Sequence, residues 1–476
     1  MDMIPDNITS SPEWNLIMPE QPILFAQHHH ADYLDELIEF LRIPSVSTQP
    51  DHGGDVAAAA AWLARAMSAA GLENVRLIET AGHPILYGDW LHAGAGRPTV
   101  LVYGHYDVQP PEPLELWESP PFTPVVRDDF LYARGASDDK GQVYVHVKAV
   151  EAYLRTLGRL PVNVKFLVEG EEEIGSRHLH SFITANRDLL AADSALVSDS
   201  SILAPDRPAL IYGLRGICQA QVDLTGPSRD LHSGSYGGGI DNPINVLGHL
   251  IARLKDERGH VLIPGFYDRV RPLTADERET LAQFPLDEAE WLAEAGAPVA
   301  WGEPEYTLVE RLGARPTLDV TGLIGGYTGV GVKTVLPAQA QAKISMRLVP
   351  DQDPAEIIAL FERHVRAVLP PSVTATISFG GGSPAALLET NTPTMRAAAQ
   401  AYEATFGRPP VFMREGGSIP VVNQFAGDLG LPTVLMGFGL PDDRIHSPNE
   451  RFYLPNYYRG IETVIRYFDL LGSAAD

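Results

Sequence analysis

Four short segments of the chain carry the residue types that hold cations. An apolar run at 99–103 ends in Gly104-His105-Tyr106-Asp107, and another at 162–168 ends in Glu169-Gly170-Glu171-Glu172-Glu173. A third, at 194–197, ends in Ser198-Asp199, while Asp138-Asp139-Lys140-Gly141 opens a helical stretch. If the three runs are neighbouring strands of an open α/β sheet, their carboxyl ends share one edge, where ligands gather in such sheets. Carboxylates crowded at that edge repel one another and lose hydration, at heavy cost unless a cation neutralises them. A pair of divalent metal ions is the natural solution. Taken singly, each segment has a plainer explanation. The glutamate run complements a helix dipole, Asp138 and Asp139 cap a helix, and His105 is a core histidine. Only their shared position at strand ends favours the metal reading.

The elements that must position these groups follow from the periodicity. Helical patterns at 31–41, 56–70 and 142–157 alternate with the apolar runs, which predicts an α/β layer with a mostly parallel central sheet and helices on both faces. After about residue 214 the texture changes. Strand 216–224, helix 243–255, strands 317–323 and 338–348, helix 354–368 and strand 373–379 give the order β-α-β-β-α-β, an α+β split βαβ (ferredoxin-like) unit. An acidic, proline-containing insertion, 257–316, interrupts it. From about 383 the α/β texture returns, with helix 394–406, strand 433–436 and helix 458–471. The expected organisation is an irregular N-terminal extension, 1–30, in which Pro5, Pro12, Pro19 and Pro22 break any helix. One domain then comes in two parts, 31–213 and 383–476, with a second domain, 214–382, inserted between them.

Composition narrows the partners. Lys and Arg number 36 against 61 Asp and Glu in 476 residues, a net charge of −25, so neither nucleic acid nor an anionic membrane is the expected partner. The single cysteine, Cys218, excludes an internal disulfide framework and a Cys-rich zinc module. No Lys or Arg precedes Arg42, and the most apolar stretch, 57–70, contains Arg65. Neither a targeting segment nor a membrane span is expected, and a reducing, cytoplasmic setting is.

The motifs also resemble those of the M20 metallopeptidases. The resemblance runs through Tyr103-Gly104-His105-Tyr106-Asp107-Val108, Ser137-Asp138-Asp139-Lys140-Gly141 and Glu169-Gly170-Glu171-Glu172-Glu173-Ile174-Gly175-Ser176. It continues in Asp230-Leu231-His232-Ser233-Gly234, Arg347-Leu348-Val349-Pro350, Arg414-Glu415-Gly416-Gly417-Ser418 and His446-Ser447-Pro448-Asn449-Glu450. The extended Gly-His-Tyr-Asp-Val-Gln-Pro form is most similar to the dipeptidase branch, which includes the carnosinase-like cytosolic non-specific dipeptidases. The resemblance implies a zinc-peptidase-type catalytic domain and a lid that also dimerises the chain. It further implies two zinc ions per subunit, replaceable by manganese or cobalt. Asp138 would bridge them, with His105 and Asp199 on one ion and Glu173 and His446 on the other. Asp107 would orient His105, Glu172 would act as general base, and His232 would stabilise the oxyanion from the partner subunit. Arg347, with the Gly416-Gly417-Ser418 loop, would read the free carboxylate of a small peptide substrate.

Other substrates and other classes stay open at this stage. N-acyl-amino-acid deacylation or succinyl-diamine hydrolysis would keep the metals and change the substrate. A non-catalytic metal- or peptide-binding module would need a lost base or ligand, and none is missing. A phosphotransferase would need a nucleotide motif, and the glycine run 237–239 lacks the Gly-Lys-Ser/Thr ending of a P-loop.

Overall fold

The computed structural model describes residues 19–474. Among them, a nine-stranded mixed sheet forms the larger half of the molecule. Its middle is four adjacent parallel strands, Asn163–Glu169, Thr99–His105, Ser194–Val197 and Thr433–Leu435. These are rich in Val, Leu and Phe and buried at almost every position, as strands covered on both faces must be. The mostly parallel sheet expected from the sequence is this central part. Antiparallel partners flank it, Ile85–Trp90 and Glu73–Ile78 on one side and Ala209–Leu214 with Ala386–Leu387 on the other. Register matters for the site. His105 pairs with Glu169 and Tyr103 with Val197, so the carboxyl ends of three strands finish level at one edge.

Strand alternation splits the apolar side chains into two layers. Val100, Val102, Val164 and Phe166 face helices Lys140–Leu157, Pro393–Phe406 and Leu454–Ser473. Leu101, Tyr103, Leu167 and Val197 face the opposite layer, with Leu179–Ala185 and Pro420–Gln424. Burying each such side chain contributes about 1.5–3 kcal/mol, so the sheet's middle is the least deformable part of the molecule.

The second sheet is separate and fully antiparallel, in the order Thr317–Gly325, Gln339–Leu348, Gly216–Thr225, Thr374–Ser383. Helices Pro243–Ile251 and Pro354–Val368 pack on one face, each with proline in its first turn and capped by the side chain of Asn242 or Asp353. This is the β-α-β-β-α-β order read from the sequence. Cys218 is buried in its core. A single residue, Arg215, separates the last strand residue of one sheet, Leu214, from the first of the other, Gly216.

Two readings need correction or completion. The N-terminal extension was expected to be irregular through residue 30, yet a helix spans Glu20–His28 and another His30–Leu41. Pro19 lies just before the first helix and Pro22 within its first turn, where the missing N–H would have had no helical acceptor anyway. The helix is held by Ile23 and Ala26 in the main core, and His30 stacks on Tyr458 at 3.8 Å. Residues 1–18 of that extension lie outside the described residues. The 257–316 insertion, unplaced by sequence, holds three short helices, Ala275–Ala282, Glu288–Ala295 and Leu308–Gly313. It leans on strand Val411–Glu415, where Arg414 pairs with Glu277.

Candidate metal centre

Five side chains, one from a strand end and four from separate loops, converge at the level edge of the larger sheet. His105 ends its strand, and Asp199 follows the end of Ser194–Val197. Glu173 lies in a short turn, Glu172–Ile174, just beyond strand Asn163–Glu169. Asp138 precedes helix Lys140–Leu157 through a cis Asp138–Asp139 peptide bond, and His446 sits on the loop after Thr433–Leu435 with φ +58°. His105 Nε2 stands 3.0 Å from Asp138 Oδ1 and 3.9 Å from Asp199 Oδ2. His446 Nε2 stands 2.9 Å from Asp138 Oδ2 and 3.3 Å from Glu173 Oε2. His105, Asp138 and Asp199 thus form one potential ligand triad and Asp138, Glu173 and His446 a second, sharing Asp138 through its two oxygens.

The electrostatics show what such an assembly lacks. Burial raises Asp199 to about 7, and Asp138 beside it adds to the rise. Burial likewise pushes Glu172 and Glu173 up. Asp138 moves the other way, since its contacts with both histidines outweigh its burial. Hydrogen bonds to Asp138 and Glu173 lift His446 to about 10. Burial disfavours a charge on His105, yet Asp107 and Asp138 hold it well above its ordinary value. The Nε2 atoms of both histidines thus face the acids, and these are the atoms whose lone pairs a divalent cation would take. His105 Nε2 is buried and has no hydrogen-bond partner of its own. Imidazole nitrogen and carboxylate oxygen donors suit a divalent transition metal, and the residues present fit one on each side of Asp138.

The supporting contacts are as specific as the ligands. His105 Nδ1 is 3.0 Å from the carbonyl of Asp107, which fixes the tautomer that leaves Nε2 free for a metal. The Asp107 carboxylate, fully buried, accepts from Ser47 Oγ at 2.6 Å and from the backbone N–H groups of Glu172 and Glu173. Asp107 thereby fixes His105 through its carbonyl and the turn bearing Glu172 through its carboxylate. Glu450 performs a similar task for Asp138. Its carboxylate accepts from the N–H groups of Gly135, Ser137 and Asp138 and from Arg134 Nη1 at 2.7 Å. Gln109 donates to Glu173 Oε2 at 2.8 Å. Ser47, Gln109 and Arg134 were not singled out in the sequence. Gln109 and Glu450 lie inside the motifs quoted above, which was the available signal.

Glu172 shares the turn with Glu173, but its carboxylate belongs to neither triad. Arg347, on strand Gln339–Leu348, is half-buried and donates to Ser418 Oγ at 3.1 Å. It therefore meets the loop in which Gly416 and Gly417 follow strand Val411–Glu415. His232 is placed differently. It is exposed on a pair of two-residue strands, Leu231–His232 and Val335–Leu336, and its ring accepts from Gly234 N at 3.1 Å. Among the described residues, no contact joins it to the metal cluster.

Comparison with known proteins gives a consistent picture. Residues 101–469 match Peptidase family M20/M25/M40. The Cys-Gly metallodipeptidase DUG1 of Candida albicans is 32% identical, over 96% of this chain and 98% of that protein. The Beta-Ala-His dipeptidase of Mus musculus is 32% identical, over 81% of this chain and 79% of its own. Among solved structures, the M20 family metallo-carboxypeptidase Sso-CP2 from Sulfolobus solfataricus is similar with a TM-score of 0.84 at 33% identity, covering 93% of this chain and 99% of that one.

Proposed function

The chain belongs to peptidase family M20/M25/M40, and from that premise we propose that it is a di-zinc dipeptidase, cleaving the amide bond of small peptides that carry a free C-terminal carboxylate. The observation that carries this reading is the pair of triads sharing Asp138. His105, Asp138 and Asp199 would hold one ion and Asp138, Glu173 and His446 the other, with manganese or cobalt as substitutes for zinc. Ions bound there supply Lewis acidity, polarising the amide carbonyl and making water acidic near neutral pH.

The chain's own residues do the rest. Glu172, half-buried beside the triads and outside both, accepts a proton from the attacking water and returns it to the leaving amine nitrogen. Its burial, which favours the protonated form, suits the second half of that task. Arg347 binds the terminal carboxylate, with Ser418 fixing the guanidinium and Gly416 and Gly417 leaving space for the substrate backbone.

We assign 31–213 with 383–476 to the catalytic domain and 214–382 to a lid through which the chain forms a homodimer. The lid's outer strand, Thr317–Gly325, has a free edge with Leu323 and Ile324 exposed. The loop beyond it leaves Val330 and Val332 101% and 95% exposed, an arrangement that favours a partner. In the dimer, His232 would reach the partner's site and stabilise the tetrahedral oxyanion. No helix among the described residues is long and apolar enough to cross a membrane, and the reading places the enzyme in the cytoplasm.

The test is a panel of dipeptides against N-acyl amino acids, assayed before and after chelation and again after zinc is restored. Dipeptide hydrolysis lost on chelation and regained with zinc is the expected result. Turnover confined to acyl amino acids, or untouched by metal removal, would overturn the reading.

A further inference from the structure

The single residue joining the two sheets carries a charge with no ion-pair partner among the described residues. Arg215 is half-buried, and its Nε donates to the carbonyl of Gly416 at 3.3 Å. Its backbone N–H donates to the carbonyl of Glu415, and its own carbonyl accepts from Ser418 Oγ at 2.5 Å. That same hydroxyl accepts from Arg347 Nη1 at 3.1 Å. Two guanidinium groups therefore border one loop, Arg215 at the Gly416 carbonyl and Arg347 at the Ser418 hydroxyl, which also ties Arg347 to the Arg215 backbone. They are close enough that Arg347, after burial, is the next influence holding Arg215 down at about 10.

Neither arginine has an ion-pair partner among the described residues, in a chain with 61 acidic side chains against 36 basic ones. The acid whose field reaches Arg215, Asp319, is engaged by Lys255 at 2.9 Å. Like charges held together at a partly desolvated site are costly unless an anion joins them. Space for the second guanidinium is built in at Gly416, where a Cβ would stand 2.6 Å from Arg215 Nη2. Any larger residue at 416 would press on the Arg215 side chain.

We propose that Arg215 and Arg347 form a two-arginine clamp for the substrate's terminal carboxylate, with Arg215 as a specificity-determining residue. This deepens the dipeptide reading above and rests on it. The position of Arg215 adds a further consequence. It is the one-residue crossing between the sheets, so a carboxylate bridging it to Arg347, on the lid sheet, ties substrate binding to the lid's attitude.

The experiment uses the full-length, metal-loaded protein and two probes, the best substrate of the dipeptide panel and its C-terminal amide. Affinity is read as KM, or as Ki for a peptide that is not turned over. R215A is expected to raise KM for the free acid about tenfold or more, the scale of a lost charge-assisted hydrogen bond. The amide's affinity and the melting temperature should stay within error. R215K, which keeps the charge but not the fork, should recover only part of the loss. R347A serves as reference. If R347A selectively loses affinity for the acid while R215A and R215K affect acid and amide alike, or neither, the clamp is overturned and the carboxylate reading stands. If R347A also shows no acid-selective loss, the carboxylate reading itself has failed and the clamp with it.

Discussion

The metal cluster and the loop bearing His232 are both built from histidines and short turns, yet they are held in opposite ways. Around the cluster, several braces come from residues remote in sequence or from a neighbouring loop. Ser47 reaches Asp107, Gln109 reaches Glu173, and Glu450 secures the backbone at Asp138. Around His232, the bonds are local, to Gly234 and Ser235, and the adjoining lid edge exposes Leu323, Ile324, Val330 and Val332. One region is tied together within a single chain, while the other keeps its side chains exposed, which suits the proposed dimer. Catalysis that needs both would then depend on assembly for one part of its machinery only.

The largest test of that contrast is Glu172→Gln. It should lower kcat by about 10²–10⁴-fold while leaving two metals per chain by elemental analysis, since Glu172 stands outside both triads. Loss of metal along with activity would instead make Glu172 a ligand. His232→Ala should lower kcat by about 10²–10³-fold without changing metal content. Mixing H232A chains with E172Q chains should restore activity that neither has alone, because one site of the mixed dimer would draw a sound base and a sound histidine from different chains. Failure of the mixture to recover would confine His232 to its own chain.

Glu450→Gln should weaken metal retention about 10–100-fold, as changes behind a ligand usually do. It should also lower stability measurably, because it leaves Arg134 buried without its counter-charge. Chelator titration and thermal melting read the two effects separately. Smallest of all, Val332→Asp should leave melting nearly unchanged, since the side chain is 95% exposed, while shifting sedimentation towards the monomer. A V332D protein that sediments as the wild type would remove this loop from the interface.

Four of the five clustered side chains were legible for a physical reason, whereas His446 came only from the motif resemblance. Buried parallel strands read as continuous apolar runs, so a His or Asp at the end of one marks the sheet edge directly, as His105 and Asp199 do. Asp138 and Glu173 gained meaning only by coinciding with them. The braces were less legible because they work through backbone groups. Glu450 acts on three N–H groups, and nothing in the side chains of Gly135, Ser137 or Asp138 announces that need. Ala209–Leu214, buried at every position, runs into the next strand with one residue between, so the two merged into a single texture change. The N-terminal helix was obscured by prolines whose position in the first turn costs little. The insertion is held by ion pairs such as Arg315–Glu303 at 2.6 Å, which leave no periodic trace.

The Arg134–Glu450 pair joins groups 316 positions apart in the chain. Ribosomes make proteins from the amino end, so three of the four central strands emerge long before the fourth, Thr433–Leu435, the segment bearing His446 and Glu450, and the covering helix Leu454–Ser473. A nascent chain therefore lacks, until its last part is made, the fourth central strand, one face of its core, His446 and the carboxylate that anchors Asp138. The core and the acid–histidine cluster are thus completed together, by the same C-terminal stretch of the chain.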